Sequence, residues 1–468
     1  MVVGELTQET DLVVIGGGPG GYSAAFAAAQ HGISTTIVEA TPALGGVCLH
    51  VGCIPSKTLL AMAEVLHLAE GAKQFGLEYA PPKVNLEALR AWKKQVIDRL
   101  ARGLEATCKK LNVERVRGKA VFENSRHLAI AGSDVARIKF KRAIIATGSV
   151  PIRLRGIEID SPRVVDSTGA LELEEVPQRL LVIGGGYIGL ELGSVYAALG
   201  SEVTVVEMLD SLLAGVDADL ARPLVKRLEK EFHEICLSTK VTGMRNGDNA
   251  IEALFEGAQV PKTKVFERVL VAVGRKPNAA DLGLSNTKVQ LTQHGFIKVD
   301  DQLRTDEARI FAIGDVAGEP MLAHKAMHEG RVVADVLAGK DVAFDRRAVP
   351  AVVFTDPEIA WCGLTEIQAK AENISYEVRK VQWPASGRAV SIGRTDGLTK
   401  MLFDPKTQRL LGLGLVGPHV GEMIAEGVLA MEMAATATDI ATAIHPHPTL
   451  SETIGDAAYA MLGGAGAH

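Results

Sequence analysis

The sequence predicts an α/β protein with two Rossmann-like dinucleotide-binding domains and an α+β domain near the C terminus. Residues 11–39 and 179–207 follow the same order of strand, glycine turn, helix and strand, at a constant offset of 168 residues. Repeated units of this kind predict parallel sheets. From about Val349 onward the pattern changes to alternating strands and a helix-rich tail. A chain of 468 residues is also too long for a single core.

The composition excludes several classes of protein. With 50 basic and 56 acidic residues the formal net charge is −6, and no long basic run offers a surface for nucleic acid or anionic lipid. The first ten residues lack the basic and apolar regions of a signal peptide. The uncharged stretch 12–29 is interrupted by five glycines and a proline and does not predict a membrane span. We expect a cytoplasmic protein, or one of the mitochondrial matrix if the chain is a processed form.

Each repeat contains the motif GxGxxG between its first strand and its helix. The first glycine permits a tight turn, the second lets backbone N–H groups approach a pyrophosphate at the positive helix end, and the third lets helix and strand pack closely. A single copy could equally be a flexible turn without a ligand, but two copies in full context predict two dinucleotide sites. The glycines are Gly16, Gly18 and Gly21 in the first copy and Gly184, Gly186 and Gly189 in the second.

A glutamate closes each repeat, 18 residues after the last glycine of the motif. Glu39 and Glu207 are therefore placed to accept hydrogen bonds from an adenosine ribose. A carboxylate there would repel a 2′-phosphate, so Glu207 favours NAD over NADP. FAD and a nicotinamide are the natural pair for two such sites, because a hydride can pass between them. FAD is assigned to the first site and NAD to the second.

Two of the five cysteines lie close together in GGVCLHVGCIPSK, residues 45–57. Cys48 and Cys53 are five positions apart, which in a regular helix means a rise of about 7.5 Å, beyond the roughly 7 Å that a disulfide allows between Cα atoms. A bridge therefore needs a distorted turn, for which Gly52 supplies freedom. Pro55 suits the first turn of the helix that follows, and a helix N-terminus lowers the pKa of a thiol.

Three interpretations of the cysteine pair compete. Both cysteines could be inert and buried, as free cysteines often are. A zinc site would need two more cysteine or histidine ligands, and His50 alone does not provide them, so no metal site is predicted. A redox pair agrees best with the flanking glycines, the helix start and the nearby FAD motif. Cys108, Cys236 and Cys362 have no such context and are predicted to be structural.

The stretch GGVCLHVGCIPSK resembles the redox-active signature of the FAD-dependent pyridine nucleotide-disulfide oxidoreductases. Its IPSK ending is most similar to that of the dihydrolipoamide dehydrogenases within this family, and the resemblance covers nearly the whole chain. It implies that Cys48 exchanges with a dithiol substrate and that Cys53, closer to the flavin, forms the charge-transfer thiolate. It also implies that Lys57 lies near the flavin N5, paired with Glu191 of the NAD motif.

Two positions depart from the family pattern. The family usually has Thr and Asn where this chain has Val47 and His50. Neither change removes a reacting atom. They alter a polar contact near the FAD diphosphate and the surroundings of the disulfide, which leaves its redox potential open.

Thiol–disulfide exchange requires a thiolate on the attacking substrate, so a base is expected near Cys48. The tail segment AIHPHPTLSE contains His447 and, five residues later, Glu452, which could orient the imidazole. Alternatively, His445 or His447 is simply packed in a proline-rich turn and Glu452 is a solvated helix residue. The segment resembles the family's HxHPTxSE box, which implies that His447 is the base and Glu452 its partner.

In that family the base comes from the other subunit of a homodimer. The resemblance therefore implies a homodimer in which residues 349–468 form the interface domain and complete the active site. It also implies an FAD-binding domain over residues 1–150, an NAD-binding domain over 151–275, and a central segment over 276–348 that completes the FAD site.

The resemblance assigns further cofactor contacts. In GDVAGEPMLAHKA it places Asp315 at the ribityl chain; otherwise Asp315 would be a helix N-cap. Tyr187 could cover the flavin where the nicotinamide enters, or could be a packing residue. The backbone of Met321, Leu322, Ala323 and His324 is assigned to the flavin edge, Gly118, Thr147, Gly148 and Ser149 to FAD, and Gly274 to the nicotinamide side.

These assignments imply a two-electron relay from a dithiol through Cys48–Cys53 and FAD to NAD⁺, with ping-pong kinetics. The implied substrate is protein-bound dihydrolipoamide, carried by lipoyl domains on the acyltransferase core of a 2-oxo acid dehydrogenase complex or in glycine cleavage. No lipoyl domain precedes the first motif, so a partner is expected to supply it. The alternatives are a sibling reductase of the glutathione or mercuric type, a transhydrogenase of similar fold, or a mainly structural subunit.

Overall fold

The computed structural model describes residues 7–154, 156–157, 159–257 and 261–464. The first six residues, on which the expectation of no signal peptide partly depends, lie outside the described residues. The chain forms two compact units. The first comprises Met1–Thr58, Glu87–Ile152 and Gly274–Asp345, and the second comprises Leu59–Leu86, Arg153–Val273 and Arg346–His468. The finer four-part division of the chain stays a prediction.

A mainly parallel sheet forms the centre of the first unit. Strand Thr7–Ile15 pairs in parallel with Thr35–Glu39 on one side and Arg137–Ile145 on the other. Its LVVI segment is buried, as expected of a parallel strand covered on both faces. The other strands are Glu114–Arg117, Lys119–Asn124, His127–Ala131 and Ile310–Ala312, and Ser149–Pro151 pairs with Arg275–Pro277 in a separate ribbon. The helices wholly or partly in this unit are Pro19–Gln30, Gly46–Val51, Cys53–Gly71, Leu86–Leu111 and Ala323–Leu337, with short 3₁₀ helices at Leu284–Asn286 and Gly314–Val316.

Two helices of this unit approach each other closely. Pro19–Gln30, which follows the first glycine turn, packs on Ala323–Leu337 through small residues. A Cβ on Gly330 would lie 2.7 Å from Gly20 O and 2.9 Å from Ala24 N, so this crossing requires glycine. The close packing brings the start of the second helix beside the first glycine turn.

The second unit holds the second glycine turn in a parallel sheet of its own. Strand Arg179–Ile183 pairs in parallel with Glu202–Val206 and Arg268–Val271, which repeats the arrangement of the first unit. Strands Val164–Asp166 and Glu234–Cys236 complete this sheet, and an antiparallel sheet contains Lys240–Asn246, Ile251–Glu256 and Thr263–Phe266. The helices are Ser167–Glu172, Tyr187–Ala198 and Ala218–Glu231, with a 3₁₀ helix at Ala72–Phe75. The predicted pair of Rossmann-like folds is confirmed.

The C-terminal part of the second unit is an antiparallel sheet with helices, which confirms the predicted α+β class. The strand order is Ala351–Val353, Glu358–Gly363, Leu410–Gly417, Leu398–Phe403 and Glu377–Gln382. The helices are Glu366–Ala371, Gly387–Ser391, Val420–Glu432, Ala437–Thr442 and Glu452–Met461, with a 3₁₀ helix at Trp383–Ala385.

A buried hydrogen-bond chain fixes the last of these helices to the sheet. Trp383 Nε1 donates to Thr399 Oγ1 over 3.1 Å, and the hydroxyls of Thr399 and Thr453 are 2.7 Å apart. All three side chains are buried, so water does not compete for these bonds. Thr453 directly follows Glu452, and the core therefore sets the position of the proposed partner of the base.

An ionic cluster joins the C-terminal sheet to the segment after the second glycine motif. Lys400 is 1% exposed, and its Nζ donates to Asp217 and Asp219 over 2.6 Å each and to Glu366 over 3.2 Å. The three carboxylates are close enough together to suggest a metal site. The Lys400 ammonium lies among them, and Lys380 Nζ pairs with Asp219 over 2.7 Å and with Glu366 over 3.4 Å, so we interpret the cluster as a structural ion-pair network.

By length and composition alone, the helical stretch Gly46–Phe75 could cross a membrane. This is weak support for a span, because a core helix of a soluble protein passes the same test. Gly52 also interrupts the stretch with non-helical backbone angles of φ −147° and ψ −114°.

Candidate active site

The cysteine loop packs directly on the first glycine turn. Gly45 and Gly46 have positive φ values of 126° and 57°, and a Cβ on Gly46 would lie 2.7 Å from the Cα of Gly18. The short helix Gly46–Val51 carries Cys48 and ends at Gly52, and Cys53 opens the next helix. The predicted distorted turn is therefore present. The geometry places both cysteines beside the turn assigned to FAD.

Cys48 and Cys53 are free thiols whose side chains share a hydrogen bond. That bond raises the pKa of Cys48 far above its usual range, and burial and the charge on Cys53 raise it further. Lys57 acts in the opposite direction, which places its charge close to the pair. The two cysteine side chains are therefore hydrogen-bonded neighbours, with the charge of Lys57 beside them. This is the arrangement expected of the reduced form of a redox pair.

Tyr22 is a neighbour of the cysteines that the sequence analysis missed. Burial raises the pKa of its hydroxyl, and the charges of Cys48 and Cys53 raise it further. The only signal in the sequence was its place directly after Gly21, in the first turn of the helix that follows the glycine motif.

The two positions that depart from the family pattern differ in their surroundings. His50 Nε2 donates to Leu44 O over 2.8 Å and so ties the cysteine helix to the segment just before Gly45. Val47 is partly exposed and gives no hydrogen bond. The effect of these residues on the disulfide potential stays a prediction.

Glu39 and Glu207 make equivalent hydrogen bonds in the two repeats. Glu39 accepts from Gly17 N over 2.7 Å and, through its other oxygen, from Thr41 N over 2.7 Å. Glu207 accepts from Gly185 N over 2.7 Å and from the backbone N–H two residues after it over 2.8 Å. Each carboxylate therefore holds its own glycine turn. A carboxylate has about four acceptor positions, so a ribose bond stays compatible with these contacts.

The glycine turns leave two helix N-termini open to an anion. Gly18 and Gly186 are the N-caps of Pro19–Gln30 and Tyr187–Ala198, and neither helix has a side-chain cap or an acidic residue in its first turn. A Cβ on Gly186 would meet nothing within 4 Å. Positive helix ends without side-chain caps suit the pyrophosphates of FAD and NAD. The remaining motif glycines permit the turn: Gly16 and Gly184 have positive φ, and a Cβ on Gly21 or Gly189 would overlap their carbonyl oxygens.

A hydrogen-bond chain links Asp315 to Arg275 through Ser149. Arg275 Nε donates to Ser149 Oγ over 2.8 Å and Nη2 donates to Ser149 O over 2.7 Å. An arginine can only donate, so the Ser149 hydroxyl proton goes to Asp315 Oδ2, 2.6 Å away. Ser149 thus orients Asp315, and the direct contact of Ser149 with FAD stays a prediction. Asp315 lies in Gly314–Val316 and is not the N-cap of the following helix, which is Leu322.

A buried ion pair supports the same segment. Glu329 accepts from Gly314 N over 2.6 Å and pairs with Lys325 over 2.7 Å. Both side chains are buried, and burial raises the pKa of Glu329 despite the nearby ammonium. The pair fixes the backbone directly before Asp315.

The remaining predicted cofactor residues lie at turns or helix starts. Met321 and Leu322 precede helix Ala323–Leu337, whose first residues are Ala323 and His324 and which has no side-chain cap. Thr147 Oγ1 donates to Asn278 O over 2.7 Å. Gly118, Gly148 and Gly274 have positive φ values of 156°, 70° and 112°. Their contacts with FAD and NAD stay predictions.

Two residues of the second dinucleotide helix differ in exposure. Tyr187, at its first position, is 41% exposed, as a residue that covers an entering nicotinamide would be. Glu191 is buried and accepts from Phe354 N over 3.0 Å. The covering role of Tyr187 and the pairing of Glu191 with Lys57 stay predictions.

His447 and Glu452 form the expected pair. His447 Nδ1 lies 2.9 Å from Glu452 Oε1, and Glu452 Oε2 accepts from Thr449 N over 2.7 Å. The His447 side chain is 68% exposed, so it is not packed in its turn, and Glu452 is largely shielded, so it is not a solvated helix residue. Glu452 thus contacts the Nδ1 side of the ring, and the role of His447 as the base stays a prediction.

The other three cysteines are buried, as the sequence analysis predicted. Burial raises the pKa of Cys108, raises that of Cys236 to about 11 and raises that of Cys362 to about 12. Such thiols stay protonated at neutral pH and are poor nucleophiles.

Comparison with known proteins places this arrangement in a family. The family described as pyridine nucleotide-disulphide oxidoreductase matches residues 10–330, and its dimerisation domain matches residues 349–458. The chain belongs to this family. Membership confirms the predicted fold class, the FAD and NAD cofactors and the disulfide oxidoreductase class, and the dimerisation domain supports a homodimer.

Several members of the family are similar over nearly their full length. The chain is 46% identical to a dihydrolipoyl dehydrogenase of Haemophilus influenzae, over 97% of this chain and 95% of the relative. It is 46% identical to a dihydrolipoyl dehydrogenase of Thermus scotoductus, over 96% and 97%. Among solved structures, the HOCl-induced flavoprotein disulfide reductase RclA of Escherichia coli superposes with a TM-score of 0.85 at 29% identity, over 96% of this chain and 99% of that one.

Proposed function

We propose that the protein oxidises protein-bound dihydrolipoamide to lipoamide and reduces NAD⁺ to NADH. The observation that carries the proposal is the Cys48–Cys53 pair packed on the first dinucleotide turn. Relatives named dihydrolipoyl dehydrogenase, 46% identical over nearly the whole chain, support the substrate. The partners would be a second copy of this chain and the lipoyl domains and acyltransferase core of a 2-oxo acid dehydrogenase complex. The protein would act in the cytoplasm.

The first half-reaction requires a dithiol substrate, a protein disulfide and a base. His447 takes a proton from one substrate thiol while Glu452 stabilises the imidazolium. The substrate thiolate attacks Cys48 Sγ, the Cys48–Cys53 bond breaks, and Cys53 leaves as a thiolate. The second substrate sulfur then displaces Cys48, which takes the proton from His447. The products are lipoamide and a reduced cysteine pair that has gained two electrons and one proton.

The reduced pair has the hydrogen bond that this product needs. The side chains of Cys48 and Cys53 are hydrogen-bonded to each other, and the charge of Lys57 lies near the pair. When FAD is bound, it supplies the two-electron path from the pair to NAD⁺. Gly18 and Gly186 would hold the two pyrophosphates, and Glu207 would exclude a 2′-phosphate. Each turnover releases the second substrate proton to solvent.

An anaerobic assay tests this function. Purified protein with bound FAD is mixed with dihydrolipoamide and NAD⁺, and NADH is followed by absorbance. We expect NADH formation that Cys48→Ser abolishes and that His447→Gln reduces by about 10²- to 10⁴-fold, the usual contribution of a general base. Reduction of ferricyanide by NADH serves as the control, because it bypasses the disulfide and the base. Wild-type protein that passes the control but forms no NADH from dihydrolipoamide would point to a sibling reductase.

A further inference from the structure

We infer that His445 is a positioning residue that fixes the His447–Glu452 pair. This inference rests on the function proposed above, because it concerns the base of the dithiol half-reaction. His445 lies two residues before His447, in the same proline-rich segment. Its ring is bound at both nitrogens and packed on one face, and these contacts connect the segment to two helices.

Both ring nitrogens of His445 face acceptors. Nδ1 lies 3.0 Å from Ala443 O and Nε2 lies 2.8 Å from Glu426 Oε1. A backbone carbonyl can only accept, and the Glu426 carboxylate lies at the other nitrogen, so the ring is held on both sides. The His445 side chain is 12% exposed, and charge-assisted bonds are strong at a shielded site.

One face of the ring packs where helix Glu452–Met461 has no side chain. A Cβ on Gly455 would lie 2.9 Å from Nδ1 and 3.1 Å from Cε1 of His445, so an alanine there would push the ring away. The φ of Gly455 is ordinary for a helix, and backbone conformation does not require glycine at this position. The space for the ring is the reason that glycine fits here.

The contacts of His445 determine where the His447–Glu452 pair lies. Gly455 is three residues after Glu452, so both lie on the same face of the helix. Glu426 belongs to Val420–Glu432, and the His445 ring therefore joins that helix to the one that carries Glu452. At the other end of the segment, Glu452 accepts from His447 and Thr449. With both ends bound, His447 keeps a fixed direction relative to its carboxylate.

The substitution Gly455→Ala separates positioning from stability. Alanine is the better helix former by about 1 kcal/mol, so helix propensity alone predicts a more stable and fully active protein. We expect the opposite for activity, because the methyl group displaces the His445 ring. His445→Ala removes the ring itself, and the double variant tests whether both substitutions act through one contact. Gly103→Ala is the control, since this helical glycine has nothing within 4 Å of its Cβ position.

Two assays on each FAD-loaded variant give the readout. In rapid mixing without oxygen, we expect dihydrolipoamide to reduce the flavin about 10- to 100-fold more slowly in Gly455→Ala and His445→Ala, as small misplacements of catalytic groups do. Ferricyanide reduction by NADH should stay at the wild-type rate. The double variant should be no slower than His445→Ala alone, because the added methyl group no longer meets a ring. Gly103→Ala should match the wild type in both assays.

Three results would overturn the inference. The first is flavin reduction at the wild-type rate in both single variants. The second is an equal loss in both assays, which would mean general damage to the protein. The third is a double variant whose loss is the product of the two single losses, because the two residues would then act independently. If dihydrolipoamide fails to reduce wild-type protein that is active with ferricyanide, the proposed function falls, and this inference falls with it.

Discussion

The hydrogen-bond chain from Arg275 through Ser149 to Asp315 predicts that Ser149→Ala weakens FAD binding without touching the cysteines. The substitution removes the 2.6 Å bond to Asp315 and the 2.8 Å bond from Arg275 Nε, while Arg275 keeps its bond to Ser149 O. Ser149 is buried, so water does not readily replace the hydroxyl.

The expected loss follows from the Asp315 bond. A hydrogen bond to a charged group contributes about 1.5–3 kcal/mol. If Asp315 binds the ribityl chain, losing its orientation should raise the Kd for FAD by about 10- to 100-fold, at about 1.4 kcal/mol per factor of ten. Arg275→Lys should have a smaller effect, because lysine can still donate to Ser149 but lacks the planar fork.

The assay is equilibrium titration of the apoprotein with FAD, followed by quenching of flavin fluorescence. Ser133→Ala is the control, since Ser133 lies in a half-buried bend of the same unit and its Oγ accepts from Val135 N. An FAD affinity for Ser149→Ala equal to that of the control would refute the assigned role of the chain.

Three further predictions follow from other contacts. Gly46→Ala should lower the flavin content per chain, because its Cβ would meet the Cα of Gly18. Gly32→Ala is the control and should keep the wild-type flavin content, since Gly32 also has a positive φ but has open space at its Cβ position; flavin absorbance per chain measures both. Lys400→Met should destabilise the second unit by about 3–5 kcal/mol, the usual cost of removing one partner of a buried ion pair, here the partner of Asp217, measured by urea unfolding. Burial alone would raise the pKa of Asp219 and Glu366, but Lys400 and Lys380 lower both. The stabilisation by Lys400 is therefore present above about pH 4 to 4.5 and is lost as the pH falls through the lowered pKa values of these two carboxyl groups. A Lys400→Met variant whose free energy of unfolding falls at acid pH as it does in the wild type would contradict this. Alkylation of reduced protein at neutral pH should modify Cys53, which is exposed, and leave Cys108, Cys236 and Cys362 unmodified in peptide mass spectra, since those three are buried and burial raises their pKa values.

Features set by local spacing could be predicted from the sequence. The glycine turns, the break at Gly52 and the His447–Glu452 pair all depend on residues a few positions apart, where turn geometry and helical rise leave few alternatives. The parallel sheets followed from the repeated strand and helix pattern. Family membership then confirmed the fold and the cofactors.

Features that join distant residues could not be predicted in this way. Ser149 and Asp315 are 166 residues apart, and Lys400 and Asp217 are 183 apart, so no local pattern connects them. The sequence analysis interpreted Glu39 and Glu207 only as ribose acceptors. Nothing in the spacing indicated that their carboxylates also hold the glycine turns, because that contact depends on how the loop after each strand folds back. His445 was considered only as packing, since a single histidine does not reveal its partners.

The two bonds of Glu207 set a condition for engineering the coenzyme preference. A designer who wants the protein to accept NADP would replace this carboxylate with a neutral or basic side chain. The same replacement would remove the acceptor for Gly185 N and for Leu209 N and would loosen the turn that receives the pyrophosphate. A successful redesign must therefore supply a new acceptor for Gly185, for example from a neighbouring side chain, before the charge at position 207 is reversed.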